Sequence, residues 1–204
     1  MKTLRTLMLA LAALVALTSA RTQSADDIMR AAAARLASAQ AVEAQFTVNG
    51  GDGPVQGSIV LSGPRFAMST PLLDVWYDGT TQWTMLHSTS EVSITEPTAE
   101  ELMESNPFAI LRNYGTLYHA RRLSDVSGRR RVELTPVRPT DAEIERAIIL
   151  VDAEDWPAAA EIHFRGNRVI SATIDRIGAT TARPASTFRF DPARHPATEI
   201  IDLR

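Results

Sequence analysis

The sequence predicts an α+β protein built on one curled antiparallel sheet of about ten strands with two helical regions. Three observations lead to this prediction. Most of the chain alternates apolar and polar residues with the period of a strand, turn residues separate the alternating runs, and two segments show helical spacing. Short strands that follow one another through tight turns pair antiparallel. The sequence has no internal repeat and no linker-like segment, so we expect a single domain.

The N-terminus has the features of a secretory signal peptide. Lys2 and Arg5 precede an apolar stretch from Leu7 to Leu17, and small residues follow it. A transmembrane anchor is the less favoured alternative, because the stretch is shorter than the ~20 residues that cross a bilayer. We therefore expect a signal peptide at 1–20, cleavage after Ala20, and a mature domain at 21–204.

Composition narrows the function. The chain has no cysteine, so neither disulfides nor a lipid on an N-terminal cysteine can be used. Without the signal's Lys2 and Arg5, 19 basic residues remain against 24 acidic ones, a net charge of −5 that disfavours nucleic acid as a partner. Lys2 is the sole lysine, and this arginine usage reflects either a genome-wide bias or recognition of carboxylates or phosphates.

The first element after the signal is predicted to be an amphipathic helix over 25–41. Ser24 provides an N-cap, the first turn is acidic, and apolar residues recur at helical spacing. Alternating runs then predict strands, with turn residues at the breaks. These runs cover 42–48, 55–62, 65–70, 73–77, 81–86 and 91–96, and later 121–126, 130–136, 143–152, 158–164, 168–177 and 186–191.

Between the two groups of strands, residues 98–115 return to helical spacing. Thr98 and Glu101 form a capping box, and Pro107 divides the segment into two short helices. The apolar side chains of this segment fit either core helices or a movable apolar cover, since methionine and phenylalanine adapt to varied partners. They are Leu102, Met103, Phe108, Ile110 and Leu111.

A sheet of ten strands at ~4.8 Å spacing would be nearly 50 Å wide and must curl. Two helical regions cannot cover its inner face fully, so the sheet encloses a cavity or closes into a barrel. Large apolar residues of one parity form the candidate inner face, although a filled core would show the same alternation. They are Phe66 and Met68, Trp83 and Met85, Val92 and Ile94, Ile148 and Leu150, Ile162 and Phe164, and Phe188 and Phe190.

Residue patterns for catalysis or cofactor binding are missing from the sequence. There is no nucleophile elbow, no metal-ligand spacing among the four scattered histidines, and no glycine-rich phosphate loop. The acidic residues at 96–104 suit a helix N-terminus or, alternatively, a carboxylate site. The basic run at 129–131 suits a solvated hairpin or a docking patch for an acidic partner. We expect neither enzymatic activity nor a cofactor.

Several segments together resemble the LolA-like family of periplasmic outer-membrane lipoprotein carriers. They are "AQFTV" after the first helix, "GSIVLSGPRFAM", "VWYDGTTQWTML", "PTAEELMESNPFAILRNY" and the closing "TFRFDPARHPATEIIDLR". The resemblance covers essentially the whole mature chain. It implies an unclosed β-barrel under a helical lid, with an apolar cavity that holds the acyl chains of a lipoprotein.

The resemblance also implies a cellular role and a set of site residues. A monomeric carrier in the periplasm would receive acylated lipoproteins from an ATP-driven, ABC-type transporter of the inner membrane and pass them to an outer-membrane receptor. By position in the family, Phe66, Met68 and Trp83 would line the cavity, and the shared strand parity adds Met85, Val92, Ile94, Ile148, Leu150, Ile162 and Phe164. Leu102, Met103, Phe108 and Leu111 would form the lid by position, and Ile110 joins them from the same helical segment.

Two points in this reading differ from the family pattern or stay open. Members of the family often carry a lid-latching arginine directly before the strand proline, where this chain has Gly63, so Arg65 is the candidate latch. A lipid-binding or glycolipid-binding sensory module on the same fold is the alternative function. A lipid-modifying enzyme is disfavoured by the missing catalytic patterns.

Overall fold

The computed structural model describes residues 23–50, 53–140 and 142–204. The expected signal peptide at 1–20 lies outside these residues. In the described part, no helix is both long and apolar enough to cross a membrane.

Twelve strands form one sheet within the described residues. In chain order they are β1 (Ala41–Asn49), β2 (Pro54–Ser62), β3 (Arg65–Ser69), β4 (Leu73–Tyr77), β5 (Gln82–Leu86), β6 (Glu91–Thr95), β7 (Tyr118–Val126), β8 (Arg129–Pro136), β9 (Ile144–Val151), β10 (Pro157–Phe164), β11 (Val169–Thr180) and β12 (Glu199–Asp202). Their order across the sheet is β12-β6-β5-β4-β3-β2-β1-β11-β10-β9-β8-β7.

The sheet is antiparallel and unclosed, as predicted. Neighbouring strands run antiparallel except β12, which runs parallel to β6. β7 and β12 lie at the two opposite edges, so the ladder does not return on itself. The expected strand at 186–191 is wrong: a 3-10 helix occupies Ala185–Phe188, and the last strand comes later, at β12. Pro184 and Pro192 flank this segment, and neither can donate a backbone hydrogen bond to a ladder.

The helices begin where their caps predict. α1 (Ala25–Ala37) starts with a capping box between Ser24 and Asp27, and it ends earlier than expected because β1 already begins at Ala41. α2 (Ala99–Ser105) starts with the capping box of Thr98 and Glu101. A 3-10 turn (Pro107–Ala109) and α3 (Ile110–Leu117) follow, so the helical segment divides at Pro107 as predicted.

The main hydrophobic core lies between one face of the sheet and the helices, and we call this the helix-covered face. It includes Met29 of α1, Phe66 of β3, Met103 of α2 and Ile149 of β9. Within β4, Val75 and Tyr77 belong to this core while Trp76 between them does not. Side chains of a strand alternate between its two faces, so Trp76 points to the opposite face.

A second, smaller cluster covers part of that opposite face. Met85, Val92 and Phe190 are buried in it, and Trp76, Trp83 and Ile94 pack around them. Phe190 comes from the segment between β11 and β12, and its ring centroid lies 5.6 Å from that of Trp76. His195 stacks on Phe190 at 5.3 Å. The C-terminal segment therefore crosses this face before adding β12 to the edge.

Candidate lipid-binding site

An apolar pocket of about 260 Å³ opens on the helix-covered face between the sheet and α2. Strands β1, β2, β3, β4, β10 and β11, the loop before β4, and one α2 side chain contribute its walls. The lining residues are Phe46, Val48, Val55, Met68, Thr70, Leu72, Leu73, Met103, Ala160, Ile162, Phe164, Ile170 and Ala172. Thr70 is the one polar side chain among these lining residues, so the pocket suits an aliphatic ligand.

Strand pairing brings the pocket residues together. Met68 lies opposite Ile59 in the β2–β3 pair, and Ile162 lies opposite Ile170 in the β10–β11 pair. Phe46 lies opposite Gly57, and a Cβ added to Gly57 would come within 2.5 Å of the Phe46 ring. The missing side chain at 57 therefore leaves room for this aromatic wall.

The predicted lid residues all pack into the main core. Met103, Phe108, Ile110 and Leu111 are buried, and Leu102 is half-buried. A crevice of about 20 Å³ lies under Phe108, Ile110 and Leu111, and Ala160 and Ala172 of the sheet line both this crevice and the apolar pocket. The α2–α3 segment therefore covers the sheet directly beside the pocket.

A larger cavity of about 540 Å³ lies on the other side of the same segment, between α1, α3 and the turn from β2 to β3. We call it the arginine-lined cavity, because Arg30 and Arg112 contribute to its wall. Phe108 and Leu111 border it as well. One tie between the two helices at this point is the Tyr114 hydroxyl, which donates to the Asp26 carbonyl oxygen at 3.3 Å.

The structure divides the predicted inner face. Phe66, Met68, Ile162 and Phe164 lie on the helix-covered face, where they belong to the main core or pack against it. The assignment of Trp83, Met85, Val92 and Ile94 is wrong: they belong to the opposite-face cluster, because Trp83 is the register partner of Trp76. Phe190 joins this second cluster too.

The assignment of Ile148 and Leu150 is also wrong. Ile149 between them lies in the main core and pairs with Val132, another core residue. Ile148 pairs with Glu133 and Glu161. Because its neighbour Ile149 lies in the main core, the side chain of Ile148 lies on the opposite face of the sheet. Sequence reasoning thereby missed Ile149 and also Phe46. The run "AIILV" is apolar at both parities, so alternation gives no signal there.

The contacts that the structure describes for Arg65 lie away from the predicted lid, and its role as a latch stays a prediction. Its guanidinium donates to the Ser62 hydroxyl at 3.3 Å and lies 4.9 Å over the Phe188 ring. These contacts tie the β2–β3 turn to the C-terminal segment. The α2–α3 segment is fixed instead by a local cap, in which the Asn106 side-chain oxygen accepts from the Phe108 N–H at 3.0 Å.

A histidine holds the loop that borders the apolar pocket. The two ring nitrogens of His87 lie 3.1 Å from the Pro71 carbonyl oxygen and 3.0 Å from an Asp74 carboxylate oxygen. Its backbone N–H donates to the Leu72 carbonyl oxygen at 3.0 Å. Hydrogen bonding to Asp74 and to Pro71 raises the pKa of His87, because the imidazolium can donate to both acceptors. Among the described residues, no cluster of three or more histidine, aspartate or glutamate side chains is placed to hold a metal ion.

Comparison with known proteins identifies the class of protein that this sheet and site define. The family of the outer membrane lipoprotein carrier protein LolA matches residues 15–132, which is more than half of the chain. The chain belongs to this family, and the resemblance seen in the sequence is confirmed. No curated protein matches the chain.

One solved structure shares the fold at low sequence identity, and two others are similar at lower TM-scores. An uncharacterized conserved protein from Thermus thermophilus is 8% identical, with a TM-score of 0.59 over 87% of this chain and 98% of that one. A LolA superfamily protein from Nitrosomonas europaea is 12% identical, with a TM-score of 0.45 over 83% of this chain and 99% of that one. The MucA/MucB complex of Pseudomonas aeruginosa gives 12% identity and a TM-score of 0.41, over 82% of this chain and 61% of that one.

Proposed function

We propose that this protein carries lipoproteins across the periplasm, from the inner to the outer membrane, by holding their acyl chains on the helix-covered face. Membership of the lipoprotein carrier family supports the cargo class. The observation that carries the proposal is the apolar pocket between the sheet and α2, in which Met68, Ile162 and Met103 meet. The role is one of binding and release, without making or breaking bonds.

The physical need for such a carrier follows from the cargo. Each acyl CH₂ that leaves water gains ~0.8 kcal/mol, so a chain of many methylenes stays in a membrane unless another apolar site receives it. The apolar pocket provides such a site outside the membrane. The Thr70 hydroxyl, the one polar side chain of the described lining, already donates to the Leu73 carbonyl oxygen at 3.0 Å.

The pocket has to enlarge to hold a complete cargo. Ligand pockets for drug-sized molecules measure ~300–1,000 Å³, and the apolar pocket, at about 260 Å³, lies below that range. Movement of the α2–α3 segment would expose the sheet beside it. Met103 and Leu111 are 1% and 2% exposed there, and acyl chains that replaced them would exchange one apolar contact for another. The opening therefore costs least when cargo is present.

The α2–α3 segment is divided at Pro107, and this division is where the movement would take place. Pro107 interrupts the helical hydrogen bonding between α2 and α3, and the Asn106 cap fixes the turn locally. In this proposal α2 and α3 are the lid and the Asn106–Pro107 turn is its hinge. An ABC-type transporter of the inner membrane would supply the cargo, and an outer-membrane receptor would accept it.

A release assay tests the proposed function. The mature chain is added to inner membranes that hold a labelled lipoprotein, together with ATP and the cognate transporter, and the membranes are pelleted. We expect lipoprotein in the supernatant, bound to this chain. Lipoprotein that stays in the pellet, with the chain folded and the transporter active, would contradict the carrier role. Recovery of lipids without acylated protein would point to the lipid-binding module instead.

A further inference from the structure

The arginine-lined cavity has a chemistry that acyl-chain binding alone does not require. One wall is apolar and comes from Ala33 and Leu36 of α1, Leu61 of β2, and Phe108 and Leu111. Its volume of about 540 Å³ is twice that of the apolar pocket and falls within the range of small-molecule sites. The cavity is therefore large enough for a ligand of its own.

The two arginines of this cavity have no acidic counterpart in its described lining. No aspartate or glutamate is among the described residues that line it. Arg30 is paired outside it, since its Nη2 lies 2.6 Å from an Asp27 oxygen on the solvent side of α1. Arg112 of α3 has neither an ion pair nor a hydrogen bond to any described residue. Among the described residues, this guanidinium is thus left without an ion-pair or hydrogen-bond partner beside an apolar wall.

The surroundings of Arg112 strengthen this observation. Its side chain is accessible to solvent through the cavity, yet the protein around it lowers the pKa of the guanidinium by desolvation. The group stays protonated at neutral pH, because arginine is not deprotonated in proteins. A partly desolvated cation binds an anion more strongly than a fully hydrated one does.

We propose that the arginine-lined cavity binds an amphiphile with one anionic head group, with Arg112 holding the head group and the apolar wall holding the tail. A guanidinium presents parallel N–H donors that match the oxygens of a carboxylate or a phosphate. The proposal assigns a second class of ligand and so goes beyond lipoprotein carriage. It rests on the proposed function, because Phe108 and Leu111 of the lid form part of the apolar wall that would hold the tail. Occupancy of the cavity would then fix the lid from its outer side.

The test compares head groups on one tail. Binding of laurate, dodecyl phosphate and neutral monolauroylglycerol to the mature chain is measured by calorimetry below their micellar concentrations. The measurements are repeated with Arg112→Met, which keeps an unbranched apolar stem and removes the charge. The matched control is Arg194→Met, since Arg194 is an exposed arginine that pairs only locally with Asp191.

We expect both anionic probes to bind at least about tenfold more tightly than the neutral one, as for a hydrogen bond between charged partners. Arg112→Met should remove this preference and leave the affinity for monolauroylglycerol unchanged, while Arg194→Met should change neither. Equal affinity for the three probes, or a preference that survives Arg112→Met, would overturn the inference. The alkyl chain of dodecyl phosphate is one carbon longer than that of laurate, which is worth ~0.8 kcal/mol or roughly fourfold in affinity, so a larger ratio assigns carboxylate or phosphate.

A third variant separates this inference from the proposed function. Met68→Glu alters the apolar pocket and leaves the arginine-lined cavity untouched. Loss of monolauroylglycerol binding in Met68→Glu, without any anionic preference in the wild type, would keep the carrier proposal and overturn the anion site. An Arg112-dependent preference with no effect of Met68→Glu would keep the anion site and contradict the apolar pocket as the acyl site. Absence of binding by every probe would overturn both.

Discussion

Replacement of Met68 by glutamate should weaken acyl-chain binding without unfolding the protein. Met68 is half-buried and lines the apolar pocket, so a carboxylate at this position can reach solvent through the pocket mouth. Phe66, two residues earlier on the same face, is 1% exposed, and its ring centroid lies 5.5 Å from that of Tyr77. Met68 lines the pocket and Phe66 does not. The protein should therefore tolerate a charged side chain at position 68 but not at the buried position 66.

The magnitude follows from the hydration of the new carboxylate. A charged group keeps its water shell, and an acyl chain that passes it leaves some methylenes wet. If about three methylenes stay hydrated at ~0.8 kcal/mol each, binding weakens by about 2.4 kcal/mol, or roughly 50-fold. The free energy of unfolding should change by less than the ~3–5 kcal/mol of a large core truncation.

The assay is a titration of the mature chain with monolauroylglycerol, combined with urea unfolding of each variant. Met68→Leu is the control for volume, because it keeps the pocket apolar. Leu150→Glu is the control for charge, because Leu150 is half-buried on the opposite face and pairs with Arg131. Both controls should bind as the wild type does.

Two results would refute this reasoning. A folded Met68→Glu variant with wild-type affinity would show that the acyl chain does not pass Met68. Loss of affinity in Leu150→Glu, with unchanged stability, would place the binding surface on the opposite face. Either result would also remove the reason for treating α2 as part of the lid.

Three further predictions concern the frame around the site. Phe66→Ala should lower the free energy of unfolding by about 3–5 kcal/mol in urea titrations, and a loss below about 1 kcal/mol would mean that the side chain is not buried as described. Gly57→Ala should cost about 1–3 kcal/mol by thermal unfolding, because its Cβ would lie 2.9 Å from the Ser69 carbonyl oxygen; an unchanged Tm would refute this close approach. The pair of His87 with Asp74 should stabilise the protein fully below the unfolded-state pKa of about 6.5 and lose this contribution as pH rises through the raised folded-state pKa. His87→Gln should flatten that pH dependence, and an identical pH profile in the variant would contradict the assignment.

Local signals in the sequence predicted much of the fold. Ser24 and Thr98 cap their helices as expected. A serine or threonine followed three residues later by an acidic residue forms a capping box, and this pattern depends only on neighbouring residues. Pro107 divides the second helical segment for an equally local reason. Met68 and Ile162 were assigned to the correct face because their strands alternate cleanly between apolar and small or polar residues.

The face of the remaining strands could not be predicted, because it depends on what covers the sheet. Trp83 and Met85 are apolar and lie two residues apart, so their side chains share one face of the strand. The alternation does not tell which of the two faces of the sheet this is. The opposite face is covered by Phe190, which lies far along the chain from both of them. Arg112 was not singled out either, since a lone arginine on a helix carries no sequence signal; its importance depends on the cavity around it.

Photo-crosslinking shows which residues the acyl chain contacts, and so tests whether it lies in the apolar pocket. A lipoprotein with a diazirine in its acyl chain is loaded onto the mature chain, irradiated, and its adducts are located by tandem mass spectrometry. We expect adducts on the strands and helix that line the apolar pocket, with Met68 and Met103 among the labelled residues. Adducts confined to β5 and β6, around Trp83 and Val92, would place the acyl chain on the opposite face and contradict binding in the apolar pocket.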